Sequence, residues 1–80
     1  MTKEEFVQAA REFLWDRIGE QSKEIEPDTD LIKSGIMDSL MLLEFFFFLE
    51  EKKGSALEAS AVTNEALSSL ENAYSLVAGS

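Results

Sequence analysis

The sequence predicts an all-α fold: a small four-helix bundle of three main helices and one short one, with a long loop between helices one and two. Three observations carry the prediction. Apolar residues cluster at helical spacing in segments that open on capping side chains. Glycines stand where those segments should stop. No stretch reads as a β-strand.

The first helix is expected from Lys3 to Ile18. Thr2-Lys3-Glu4-Glu5 has the capping-box form, with Glu5 three residues after Thr2. Phe6, Val7, Ala10, Phe13, Leu14 and Ile18 then recur on one side, and Gly19 provides the stop. Trp15 lies off this stripe. Either it packs under the following loop or it stays half exposed.

Glu20 to Met37 keeps no period. Pro27, Asp28-Thr29-Asp30 and Gly35 mark it as a loop with turns. Ile25, Leu31, Ile32 and Ile36 are spaced like anchors dropped into a core. A loop of roughly 18 residues is long for a compact domain, and such loops are usually functional. Asp28-Thr29-Asp30 does not open a calcium loop. Its fifth, sixth and twelfth positions are Ile32, Lys33 and Ser39, where an acid or amide, a glycine and a glutamate are needed.

The second helix begins behind Asp38, whose carboxylate suits an N-cap, and ends at Gly54 after Lys52 and Lys53. Between Leu40 and Leu49 the only polar residue is Glu44. The run is too short for a membrane span, which needs roughly 20 apolar residues. On a wheel of about 100° per residue, Met41, Leu42, Phe45 and Leu49 form the core face, with Phe46 and Phe48 on its flanks. Glu44, Glu50 and Glu51 form the wet side. Leu40, Leu43 and Phe47 fall among these glutamates, as an apolar patch rimmed by carboxylates with Ser39 at its N-terminal edge. The competing reading places Phe47 in the core of a helix covered on every side.

Ser55 to Ala61 is small, mostly polar and aperiodic, hence a second loop. Thr63 caps one short turn through Asn64-Glu65-Ala66-Leu67. Ser68 or Ser69 caps the last helix, where Leu70, Ala73, Tyr74 and Val77 make an amphipathic stripe. Gly79-Ser80 ends it.

Eighty residues make a single domain, 1–80. A chain of this size buries only about 60% of its unfolded surface. It contains neither cysteine nor histidine. Disulfides and thiolate metal sites are excluded, and the commonest general base is missing. Sixteen acidic residues against seven basic ones give a net charge of −9. Such a surface repels nucleic acid and attracts basic proteins. No signal-peptide core opens the chain and no membrane-spanning run follows, so a cytoplasmic monomer is expected, without a membrane or metal partner.

Asp38-Ser39-Leu40 at a helix start, preceded by Gly35 and followed by an acidic-apolar helix, resembles the phosphopantetheine attachment motif of acyl and peptidyl carrier proteins. The resemblance extends to Asp28-Thr29-Asp30-Leu31 with Ser34-Gly35, and to the stretch Val62-Thr63-Asn64-Glu65-Ala66-Leu67-Ser68-Ser69-Leu70. It implies the same order of helices. It also implies that Ser39 carries a covalent 4′-phosphopantetheine arm, with Asp38 and Leu40 completing the attachment motif. Glu44, Glu50 and Glu51 match the acidic positions through which that family meets its enzymes, and Leu43 and Phe47, which the wheel sets among them, would meet the same partners. Lys53, where many members carry an aromatic residue, and the bulky Phe45-Phe46-Phe47-Phe48 run depart from the pattern. The Gly35-Ile36-Met37-Asp38-Ser39 spacing is closer to that of free-standing carriers.

A serine with no base nearby in sequence is a poor nucleophile. The resemblance implies that a phosphopantetheinyl transferase modifies it from coenzyme A. A loading ligase would then charge the arm's thiol with an acyl or aminoacyl group, for downstream biosynthetic enzymes of fatty acid, polyketide or nonribosomal peptide type. On that reading the protein is a phosphoprotein and a carrier, not an enzyme. The alternative is an acidic helical interaction module in which Ser39 is only part of a helix cap. A hydrolase built on Ser39 lacks histidine, and no lysine stands at a spacing that marks it as the base.

Overall fold

Thr2 opens the first helix through a closed pair of bonds. Its Oγ1 accepts the Glu5 N–H at 3.1 Å, and Glu5 Oε1 accepts the Thr2 N–H at 2.8 Å. In the computed structural model, which describes residues 1–78, helix α1 spans Lys3–Ile18, α2 Ser39–Lys53, α3 Asn64–Leu67 and α4 Leu70–Ala78. The described residues are all-helical with intervening loops, as the periodicity predicts. The expected Gly79-Ser80 stop lies outside them. Among them, no helix is long and apolar enough to cross a membrane.

Both expected loops contain short 3₁₀ helices, at Gly19–Glu24 and Ala59–Ala61. Over Gly19–Glu24 only Ser22 turns inward, and Ile25 follows it. A single small inward residue leaves no apolar period to read. The remaining loop is pinned by backbone. Leu31 N–H donates to the Ser68 carbonyl at 2.6 Å, and Glu71 N–H donates to the Pro27 carbonyl at 2.9 Å. The second bond satisfies a donor that the first turn of α4 leaves free. Arg11 adds Nε and Nη2 bonds of 3.2 and 2.8 Å to the Ile25 carbonyl.

Asp28-Thr29-Asp30 is turn chemistry. Thr29 Oγ1 accepts the Glu26 N–H, and Asp30 Oδ1 accepts the N–H groups of Ile32 and Lys33. Ile25 and Leu31 are buried as anchors, whereas Ile32 and Ile36 are only half-buried. Met37 takes the inward place instead. Gly35, at φ 80°, turns the chain back so that Met37 N–H reaches the Leu31 carbonyl at 3.0 Å.

Phe6, Ala10 and Leu14 of α1, Met41, Phe45 and Leu49 of α2, and Leu70 and Ala73 of α4 meet in one core. Aromatic rings seam α1 to α2. Phe13 lies 5.7 Å from Phe45 and 4.9 Å from Phe48, and Phe6 lies 6.1 Å from Phe48. Of these rings Phe6 and Phe45 are fully buried, and full burial of such a side chain stabilises a fold by about 1.5–3 kcal/mol. Trp15 stays half exposed, with the Lys23 ammonium 5.4 Å from its ring. Ser69, not Ser68, caps α4, its Oγ accepting the Asn72 N–H at 3.1 Å. Thr63 caps α3 by accepting the Ala66 N–H.

Candidate functional site

Buried Met37 fixes the chain just before the turn into α2. Asp38 is the N-cap. Its Oδ1 accepts the Met41 N–H at 2.8 Å, and its carbonyl accepts the Leu42 N–H at 2.9 Å. Ser39 is the first helical residue and is exposed. The Asp38 carboxylate already takes the Met41 N–H, and the first-turn N–H groups of Ser39 and Leu40 have no carbonyl partner within the helix. They form the positive end of the helix dipole, which favours an anion at this position. An exposed hydroxyl at such an end fits attachment of a phosphate-bearing group.

From Ser39 an apolar ridge runs along α2. Leu40, Leu43 and Phe47 are 67%, 51% and 57% exposed. Met41, Phe45 and Leu49 on the other side are buried. The exposed reading of Phe47 is therefore the observed one. Its neighbour Phe46 is half-buried and meets the Phe47 ring edge-on, with centroids 5.6 Å apart.

The three glutamates do not share one environment, and here the wheel needs refinement. Glu44 is ion-paired across the α1–α2 seam, with Arg17 Nε 3.2 Å from its Oε1. Glu50 turns toward the following loop, where its Oε2 accepts the Leu57 N–H at 3.0 Å. Glu51 is exposed. Among the described residues the ion pairs are Lys3–Glu71 and Arg17–Glu44, so neither Glu50 nor Glu51 is charge-paired.

Comparison with protein-family models, with curated proteins and with solved structures found no match. The site therefore rests on its geometry: Asp38, Ser39 and Leu40 at one helix end, and Leu43, Phe47 and Glu51 continuing the same exposed surface. Sequence reasoning missed Arg17. It is the basic residue in the last turn of α1, where a cation complements the helix dipole. That explains its position without revealing its partner, because the partner depends on how α1 registers against α2.

Proposed function

We propose that this chain is a carrier protein bearing a 4′-phosphopantetheine arm on Ser39, and that it shuttles acyl or aminoacyl thioesters between biosynthetic enzymes. The observation that carries the reading is the exposed Ser39 hydroxyl at the N-terminus of α2, continuous with the Leu40–Leu43–Phe47 ridge. The chain's own residues do three things here. Asp38 fixes the helix start, so that Ser39 stands outside the core. The first-turn N–H groups that Asp38 does not take, those of Ser39 and Leu40, favour negative charge on a phosphodiester at Oγ. The ridge and its carboxylates dock the enzymes that modify and load the carrier.

The bound arm supplies a thiol, a group this cysteine-free chain lacks. Attachment is the work of a phosphopantetheinyl transferase. The Ser39 Oγ–P bond forms as the bond to adenosine 3′,5′-bisphosphate breaks, and the serine proton leaves to the transferase. The protein transforms no substrate itself. It acts as a cytoplasmic monomer whose partners are the transferase, a loading ligase and downstream enzymes, each presenting a basic, partly apolar surface to α2.

The test is intact-mass spectrometry after incubation with coenzyme A and broad-specificity transferases. Gain of one phosphopantetheinyl group on the wild type, and none on Ser39→Ala, supports the carrier. A wild type that stays unmodified under every transferase leaves the acidic interaction module, for which the exposed ridge suffices without Ser39.

A further inference from the structure

Arg17 places a cation on the rim of the proposed docking face. Its Nε donates to Glu44 Oε1 at 3.2 Å and its Nη2 to Oε2 at 3.5 Å. Nη1 donates to the Phe13 carbonyl at 3.0 Å, and the guanidinium carbon lies 3.7 Å above the Phe13 ring. The guanidinium is thus held against Phe13 of α1 while it reaches both oxygens of Glu44. Phe13, Arg17, Glu44, Phe47, Phe48 and Glu51 line one shallow notch of about 300 Å³.

An exposed pair of this kind contributes about 0–1 kcal/mol to stability. Its larger effect is on the field. A lone carboxylate attracts an approaching cation, whereas a carboxylate with a guanidinium beside it presents little net charge. A partner cation aimed at Glu44 also meets the like charge of Arg17. Glu50 keeps its charge but turns toward the following loop to accept the Leu57 N–H. Exposed Glu51, one turn after Phe47, is the charge-unpaired carboxylate that lines the notch beside it.

We propose that Arg17 is a specificity-determining residue of this face. It withdraws Glu44 from basic partners, so the favoured partner sets an apolar anchor on Phe47 and a lysine or arginine on Glu51, with no cation opposite Glu44. The inference rests on the carrier reading, since the probe is a broad-specificity transferase, a generic basic partner not matched to this face, whose cations Arg17 should hold off Glu44.

Arg17→Met keeps an unbranched stem over Phe13 and removes the charge. Arg17→Gln serves as a second neutral variant, and circular dichroism establishes which of them are folded. Lys23→Met makes the same net-charge change beside Trp15 and is the control. Transferase kcat/KM at low salt should rise about threefold for the Arg17 variants and far less for Lys23→Met, as local steering predicts. The salt dependence should steepen for the Arg17 variants only. Adding Glu44→Gln to Arg17→Met should abolish the gain. Equal behaviour of the Arg17 variants and Lys23→Met overturns the proposal, as does a gain that survives Glu44→Gln. If no variant is modified, wild type included, the carrier reading fails and this inference goes with it.

Discussion

The Glu50 carboxylate closes the exit of α2 by accepting the backbone N–H of Leu57 at 3.0 Å. Leu57 is buried, and Gly54 between them ends the helix in the left-handed region at φ 81°. Glu50 thus holds a loop as well as standing near the proposed docking face. Glu50→Ala should lower stability by about 1–3 kcal/mol, the usual range where the loss of one partner leaves a backbone donor poorly satisfied. Glu50→Gln keeps an acceptor and should lose less. Denaturant midpoints check both. An unchanged midpoint for Glu50→Ala means that the bond contributes nothing in solution.

Glu51 should behave in the opposite way. It is exposed and outside the ion pairs of the described residues, so Glu51→Gln should leave the denaturant midpoint within about 0.5 kcal/mol. It should nevertheless slow transferase turnover at low salt more than Glu50→Gln does. The difference should shrink as the screening length falls toward about 8 Å near physiological ionic strength. Equal rates for the two variants would remove Glu51 from the docking surface.

Ser39→Ala should fold as the wild type does. The hydroxyl is exposed, and the cap is made by Asp38, so the stability change should stay near 0.5 kcal/mol or below. Asp38→Ala removes the acceptor of the Met41 N–H and should cost about 1 kcal/mol. The two variants therefore separate attachment from helix capping. Modification should vanish in Ser39→Ala and persist, at a reduced rate, in Asp38→Ala. Thermal melts and intact mass read the two effects independently.

Local signals made the helices legible. The Thr2–Glu5 box, the Asp38 cap, the Thr63 cap and Gly54 each act within a few residues, and all are observed. The exposed ridge was legible for a related reason. Leu40, Leu43 and Phe47 share a side of the helix whatever it packs against. What the sequence withheld depends on register between distant segments. Arg17 and Glu44 are neighbours only because α1 and α2 pack through Phe13, Phe45 and Phe48. Met37 turns inward only because a Gly35 turn folds it back onto Leu31. Glu50 and Leu57 meet through a loop with no period of its own. None of these pairings is written in spacing along the chain.

The first turn of α1 should carry a pH signature. The Thr2 backbone N–H, then the Thr2 side chain, and more weakly the Met1 ammonium, hold the Glu5 carboxyl below its ordinary value of 4.5. A carboxyl lowered in the folded state stabilises that state fully above its unfolded pKa. The contribution is lost as pH falls through the folded value. Acidification below 4.5 should therefore fray the start of α1. Carbon-13 NMR of the Glu5 carboxyl should titrate lower in the folded protein than in urea. Thr2→Ala keeps the backbone donor and should recover only part of the shift. Equal midpoints in the folded and unfolded states would mean that the box is open in solution.

Two phenylalanines a short distance apart on α2 give the sharpest test of how this helix is oriented. Phe45 is fully buried, between the ring of Phe13 on α1 and that of Phe48 on its own helix, at 5.7 and 5.8 Å. Phe47 is 57% exposed on the ridge. Emptying a buried Phe site typically costs 3–5 kcal/mol, because the lost transfer energy adds to the cavity left behind. A domain of this size is expected to have about 4–12 kcal/mol in total, and its small core places it at the low end. Phe45→Ala should therefore be largely unfolded or strongly destabilised. Phe47→Ala removes mainly hydrated surface and its edge contact with Phe46, and should cost about 0.5 kcal/mol or less. The chemistry of the substitution is the same in both, so unequal loss reports burial alone. Phe47→Ala should stay folded and, on the proposed carrier reading, lose transferase turnover, since the proposed apolar anchor of the partner then has nothing to meet. Denaturant curves and turnover on the two variants decide it. Equal drops in midpoint would mean that α2 is rotated from the orientation described, and that partners meet Leu40 and the loop before Ser39 instead.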